Sequence, residues 1–136
     1  MSEGMKELMS ERMNEPKYSY KNLDAYKESK KLVKMVYGWL KQFPKEENYA
    51  LCDQLRRAVI SVPSNIAEGS GRTSSKDQAH FFEVSFGSLM EVDCQLDIAH
   101  DLDYIADDDV LLAEKQIRIV ASLLSGLRSK CLAASH

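Results

Sequence analysis

An all-α fold, an antiparallel up-down-up-down four-helix bundle with a proline-kinked second helix, is predicted by three observations. Four segments of the 136-residue chain place apolar residues at spacings of three and four, the period of a helix with one buried face. No run alternates apolar and polar residues over a convincing strand length. Gly and Pro number only six and three, and the breaks between the four segments are short, so consecutive helices are expected to lie side by side.

Residues 1–17 read as a flexible leader, mobile or weakly helical, that ends near Pro16; residues 18–136 read as one domain. The first helix is predicted from about Asn22 to Gln42, with Tyr26, Val33, Val36, Tyr37 and Leu40 on one face, and Phe43-Pro44 stops it. The second is predicted to begin around Lys45, where Glu46 and Glu47 suit the positive end of the helix dipole. Its apolar positions Leu51, Leu55, Ala58, Val59, Val62 and Ile66 pass Pro63 without losing phase. A loop would reset the period, so one helix kinked at Pro63 is expected. A proline inside a helix costs about 3 kcal/mol, which packing around it must offset. Gly69-Ser70-Gly71 is expected to end this helix through a left-handed glycine.

The third helix opens on Thr73 or Ser74 as cap with Asp77 in the first turn. Phe82, Phe86, Leu89, Val92, Leu96 and Ala99 form its stripe, to about Asp103. The fourth starts in Asp107-Asp108-Asp109, which again matches the dipole, and carries Leu112, Ile119, Val120, Leu123, Leu127 and Cys131.

Composition bounds the function. Hydrophobic residues make up 44% and charged residues 29%, which argues against a disordered, collagen-like or membrane-spanning chain. Cys52, Cys94 and Cys131 are odd in number and widely spaced in apolar surroundings, which fits core thiols in a reducing compartment. Together with a start that lacks the apolar core of a signal peptide, this makes the cytoplasm the expected location. The net charge of −3 is not that of a typical nucleic-acid binder, yet it is unevenly spread. Residues 1–16 hold Glu3, Glu7, Glu11 and Glu15 against Lys6 and Arg12, so the remainder carries only −1. Basic side chains gather at Lys27, Lys30, Lys31 and Lys34, and again at Arg56, Arg57, Arg72 and Lys76. Each cluster suits a solvated helix face, and each is a candidate phosphate-binding surface.

The second helix is apolar on two sides. Ile60, Pro63 and Ala67 form a patch roughly opposite the core stripe, beside a polar row of Gln54, Ser61, Asn65, Glu68 and Arg72. A helix apolar on two sides has neighbours on two sides, so self-association through the Pro63 patch is expected. Glu68 and Glu91 fall near core positions and are expected to pair with Arg56, Arg57 or Arg72, inside the bundle or across a subunit boundary.

Catalytic and metal chemistry find little support. Asp77/His80 and Asp97/His100 have carboxylate-x-x-His spacing. They lie about 30 Å apart along one helix by its rise, so they share no site, and neither a metal nor a cofactor is expected. Gly69-Ser70-Gly71-Arg72 follows a helix and lacks the Lys-Ser/Thr ending of a phosphate loop. Ser61, Ser64 and the histidines supply no nucleophile with a base and an orienting group. A non-enzymatic protein is the primary expectation, and a small enzyme or metal protein using the bundle interior is the alternative.

The stretches QLRRAVISVPSNIAEGSGR (Gln54 to Arg72), FFEVSFGSLMEVDCQL (Phe81 to Leu96) and FPKEENYAL (Phe43 to Leu51) resemble the four-helix bundle proteins encoded in intervening sequences of bacterial 23S rRNA genes. The resemblance spans about residues 20–130, and Ser-x-Pro-Ser-Asn-Ile-Ala-Glu-Gly is its most specific part. It implies a ring-like homopentamer without known enzymatic activity. The same fold is shared with the accessory variability proteins of diversity-generating retroelements, basic pentamers that bind nucleic acid and a reverse transcriptase. On this resemblance Ser61, Pro63, Ser64, Asn65, Glu68, Gly69 and Arg72 are structural and assembly residues, and the chain is an adaptor for RNA or an RNA-associated protein.

Overall fold

In a computed structural model, residues 1–14 and 18–135 are described. They form five α-helices: α1 (Glu3–Asn14), α2 (Asp24–Leu40), α3 (Leu51–Ser70), α4 (Ser75–Asp101) and α5 (Asp107–Ala134), with 3₁₀ turns at Ser19–Asn22 and Lys45–Glu47. Among the described residues there is no strand, and no helix is long and apolar enough to cross a membrane. The four predicted helices are α2 to α5. Part of the expected leader is the helix α1, opened by the Ser2 hydroxyl, which accepts the Met5 N–H at 3.1 Å. Among the described residues α1 packs against no other element.

Contacts among α2 to α5 form a closed circuit. α3 lies against α2 and α4, α4 against α3 and α5, and α5 returns to α2. Between α3 and α4, Ser61 meets Ser88 and Gly69 meets Phe82. Between α4 and α5, Gln78 meets Cys131 and Glu83 meets Arg128. The centre is apolar: Leu32, Val36, Leu55, Val59, Val62, Ile66, Leu89, Val92, Val120 and Leu124 are all buried, each contributing roughly 1.5–3 kcal/mol relative to exposure. Of the cysteines only Cys52 is a core residue; Cys131 is half-buried, and Cys94 is exposed rather than set in apolar surroundings.

Boundaries move where side chains compete for backbone groups. α3 starts at Leu51, not Lys45, because the intervening turn has its own partners. The Arg56 guanidinium donates to the Asn48 carbonyl and side-chain oxygens at 3.2 and 2.8 Å. The Glu47 carboxylate accepts the Leu51 N–H and the Tyr104 hydroxyl. At the start of α4 the cap is Ser74, whose hydroxyl accepts the Asp77 N–H at 3.1 Å, satisfying one of the unpaired donors of the first turn.

The end of α3 corrects one expectation. Gly71 is right-handed (φ −84, ψ −7), so no left-handed glycine closes the helix. Instead Gly69 is buried, and a Cβ there would lie 2.9 Å from the Phe82 ring and 3.0 Å from Phe81 Cβ. The glycine lets α3 and α4 approach just before they separate into the turn. The left-handed residue closes α4: Asp103 has φ 61, with Tyr104 N–H on the Ala99 carbonyl and Asp103 N–H on the His100 carbonyl, the paired hydrogen bonds of a Schellman ending. Across this turn the His100 ring meets Asp107 at 2.6 Å, tying the end of α4 to the start of α5.

Gly69→Ala should destabilise the chain by about 1–3 kcal/mol through overpacking against a buried ring. Gly87→Ala, where a Cβ meets nothing within 4 Å, should stabilise it by up to about 1 kcal/mol through helix propensity. Urea unfolding followed by circular dichroism measures both, and an equal response at the two sites would refute the close-approach argument. The hydrogen bond to Asp107 raises the His100 pKa above its ordinary value, with the carboxylates of Asp107, Asp101 and Asp97 acting in the same direction. A raised folded value means that the contact stabilises most below the ordinary histidine range and is lost as pH rises through the folded value. NMR titration should show His100 protonating at higher pH than a free imidazole, and Asp107→Asn should reverse much of that shift.

Candidate functional site

The site begins with a backbone problem. Pro63 lies inside α3 and has no N–H to give to the preceding turn. The three carbonyls immediately before it each accept a side-chain hydrogen bond. The Ser64 hydroxyl donates to Ile60 O at 2.8 Å, the Asn65 amide to Ser61 O at 2.8 Å, and the Ser85 hydroxyl, from α4, to Val62 O at 2.7 Å. Asn65 also donates to the Ser61 hydroxyl, which is hydrogen-bonded to Ser88 of α4 at 2.8 Å. Ser61, Ser64 and Asn65 thus surround the proline with local polar partners, and Ser85 and Ser88 carry that set across to the next helix.

Ser85 and Ser88 are buried, and neither is among the residues that sequence reasoning marks out. The available signal is two small polar residues in a helix whose other inward positions are Phe82, Leu89 and Val92. Polar side chains at buried positions require partners, and here one partner is a backbone carbonyl that only the fold brings near.

Pro63 is itself buried and Ala67 half-buried, whereas Ile60 is 43% exposed. The apolar patch therefore does not stand away from the other helices as expected. It forms one wall of a groove of about 630 Å³ between α2 and α3. Tyr20, Tyr26 and Val33 supply the facing apolar surface, and Lys27, Lys30, Lys31 and Lys34 line the same groove. The first basic cluster and the patch, separate in sequence, are one surface.

The lysines are not equivalent. Lys30 Nζ sits 5.3 Å from the centre of the Tyr26 ring, a cation–π distance. Lys31 is 3.0 Å from Glu28. Glu28 also accepts a hydrogen bond from Gln116 of α5 at 2.8 Å, and this bond, with the contribution of Lys31, lowers its pKa. Lys27 and Lys34 make no ion pair with the described residues. The groove thus offers two uncommitted ammonium groups, two engaged ones and an apolar floor.

The second basic cluster does not join this row. Arg56 is engaged by Asn48 and lines a separate depression with Cys52 and Tyr49. Arg57 pairs with Asp53 at 3.1 Å. Arg72 pairs with Glu68 and lies 4.6 Å from the centre of the Phe81 ring, and Lys76 is exposed in the first turn of α4. The expected pairing of Glu68 is met by Arg72, but both Glu68 and Glu91 are exposed rather than near the core. Their helical phase sits at the edge of the stripe, where a long carboxylate turns to water. Glu91 faces a crevice shared with Gln54, Arg57, Ser61, Ser88 and Gln95.

The carboxylate-x-x-His spacings do not produce paired ligands. His100 is partnered by Asp107, and His80 packs edge-on to Phe81 at 5.4 Å between ring centres. Among the described residues, no three His, Cys, Asp or Glu side chains gather in a metal-binding group.

Ser85→Ala should cost about 1 kcal/mol by removing the hydrogen bond to Val62 O. An exposed serine change such as Ser122→Ala should stay within about 0.5 kcal/mol. Equal melting temperatures for the two variants would refute a structural role for the hydroxyl.

Three comparisons bear on the chain. The sequence model of a family described as 23S rRNA-intervening sequence protein matches residues 21–126. No curated protein matches. Among solved structures, a protein of unknown function from the S23 ribosomal protein family of Bacteroides thetaiotaomicron VPI-5482 is similar, with a TM-score of 0.69 at 16% identity, covering 76% of this chain and 97% of that one. At that identity the likeness shows a shared fold.

Proposed function

We propose, for a chain that belongs to the 23S rRNA-intervening sequence protein family, a non-enzymatic role: a four-helix, up-down bundle, kinked at Pro63, that assembles as a ring-like homo-oligomer, a homopentamer, and serves as an adaptor for RNA in the cytoplasm. The observation that carries this reading is the row Lys27, Lys30, Lys31 and Lys34 along one groove. Helical spacings of three and four put the four ammonium groups on one side of α2, where they meet successive phosphates as point charges. Lys27 and Lys34 are the uncommitted pair, so they carry most of the attraction; Lys31 must share Glu28.

Binding through phosphates releases condensed counterions. The small negative net charge does not oppose this strongly, because charges more than about 10 Å away are largely screened at moderate salt. Local arrangement therefore outweighs the total. Self-association is supported by Ile60, an exposed apolar residue on a groove wall.

Binding to a structured RNA, read by fluorescence anisotropy, should weaken roughly a hundredfold between about 50 and about 200 mM salt if all four lysines engage phosphates. Lys27→Glu with Lys34→Glu should weaken it further at low salt while leaving the circular dichroism spectrum unchanged. Absence of binding by the native chain at low salt would overturn the RNA reading.

A further inference from the structure

Among the described residues α2 and α4 each touch α3 and α5 but not each other, so they stand on opposite sides of the helical group. Their charges are opposite as well. α2 carries Lys27, Lys30, Lys31 and Lys34 against Asp24 and Glu28. α4 carries Asp77, Glu83, Glu91, Asp93, Asp97 and Asp101 against Lys76 alone. Glu83 is taken by Arg128 of α5 at 3.4 Å, whereas Glu91, Asp93, Asp97 and Asp101 make no ion pair with the described residues. These acids border an apolar stripe. Val84 and Ile98 are 39 and 45% exposed, and Gly87 and Cys94 are exposed beside them. Projected at 100° per residue, the four fall within an arc of about 80°, roughly opposite the buried Leu89 and Leu96. Glu91 lies inside the arc, between Ile98 and Val84, and Asp101 and Asp97 lie about 20° and about 60° beyond its Cys94 edge. Lys76 shares this side of α4 but stands about 22 Å from Glu91 by the helical rise. A helix apolar on two sides has neighbours on two sides, and the outer stripe of α4 has none among the described residues.

The groove between α2 and α3 has the complementary character. Its floor is Tyr26, Val33, Ile60, Pro63 and Ala67, and its α2 edge is the lysine row. Lys27 and Lys31 are one turn apart on α2, as Asp97 and Asp101 are on α4. The row from Lys27 to Lys34 spans about 10 Å and the acids from Glu91 to Asp101 about 15 Å by the helical rise. Lysine stems are long and lie along apolar surface while the ammonium reaches outward, so the row can follow the flank of a docked helix to acids at the edge of its apolar stripe. The groove and the outer face of α4 look away from different sides of one chain and cannot meet within it.

We propose that the outer face of α4 of one copy docks in the α2/α3 groove of the next, Val84 and Ile98 on the Ile60–Pro63–Ala67 wall and Asp97 and Asp101 on the flank turned to the lysine row. Glu91, inside the contact, requires a cation once water is excluded, and the same row supplies it. This is the helix-in-groove mode of recognition, with charge setting the register and apolar contact supplying the affinity. Two different patches meet, so the contact is heterologous: each copy offers one face and receives another, and repetition closes a ring when the rotation between copies allows it. The inference rests on the self-association part of the proposed function and names the contact. Phosphates and a neighbouring α4 compete for the same lysines, so a groove that holds one excludes the other.

The test uses two variants of the full-length chain. Asp97→Lys with Asp101→Lys reverses the α4 face and leaves the groove intact; Lys27→Glu with Lys34→Glu reverses the groove and leaves α4 intact. All four positions are exposed, and both variants should keep the circular dichroism spectrum of the native chain. Each alone should show a dissociation constant of self-association raised at least tenfold by sedimentation. Mixing the two in equal amounts should restore assembly, because every contact between unlike chains then joins opposite signs: native α4 with native groove, and lysine-bearing α4 with glutamate-bearing groove. Variants that dissociate but stay apart when mixed would overturn the pairing of these two faces. An oligomer that persists unchanged in both variants would overturn α4 docking and leave assembly standing. A native chain that stays monomeric at all concentrations would overturn both.

Discussion

The polar cluster around Pro63, which takes a hydroxyl on Val62 O from Ser85 and joins Ser61 to Ser88, is the interaction on which the middle of the α3/α4 contact depends. A proline inside a helix removes one ladder hydrogen bond and crowds the carbonyl one turn back. α3 nevertheless runs unbroken from Leu51 to Ser70. Ser64 and Asn65 engage the carbonyls of Ile60 and Ser61 from within the helix, and Ser85 reaches Val62 from α4. None of these donors reaches Val59 O, the carbonyl whose ladder partner Pro63 lacks, but the Ser85 bond is tertiary and fixes the register of α4 against α3. About two helical turns after Val62, Gly69 lets the two backbones converge at Phe82. The contact is set by hydrogen bonds in the middle and by steric fit at the end.

Much of this architecture is legible in the sequence because it follows from periodicity. The stripes that place Leu55, Val59, Val62 and Ile66 in one helix and Phe82, Leu89, Val92 and Leu96 in the next are buried, as their spacing requires. The Ser74 cap is equally local, since its partner Asp77 is three residues away. Features that depend on another helix are not readable in this way. The role of Gly69 is invisible without Phe82, and the late start of α3 depends on Arg56 and Tyr104 holding the turn before it. Glu68 and Glu91 show the limit of phase alone: the edge of an apolar stripe is compatible with burial or exposure, and solvation of the carboxylate decides for water.

The candidate site divides along the same line. The lysine row and the Ile60–Pro63–Ala67 patch are each visible as patterns within one helix. That they form a single groove depends on how α2 and α3 face each other, which no single-helix pattern contains. The other basic residues show the converse. Arg56, Arg57 and Arg72 cluster in sequence, yet each is claimed by a nearby acceptor, Asn48, Asp53 and Glu68, and none of them lines the groove of the lysine row.

A groove with an apolar floor and a cationic edge discriminates by more than charge. Phosphates satisfy the lysines but leave Ile60 and Val33 against water, whereas an acidic amphipathic helix satisfies both. Exposed ion pairs contribute little individually, about 0–1 kcal/mol, so the apolar floor has to supply most of the affinity for such a helix, and the lysines mainly select its orientation. Salt consequently acts differently on the two kinds of contact such a groove can make: it weakens phosphate binding steeply through counterion release, and it leaves apolar burial on the groove floor largely intact.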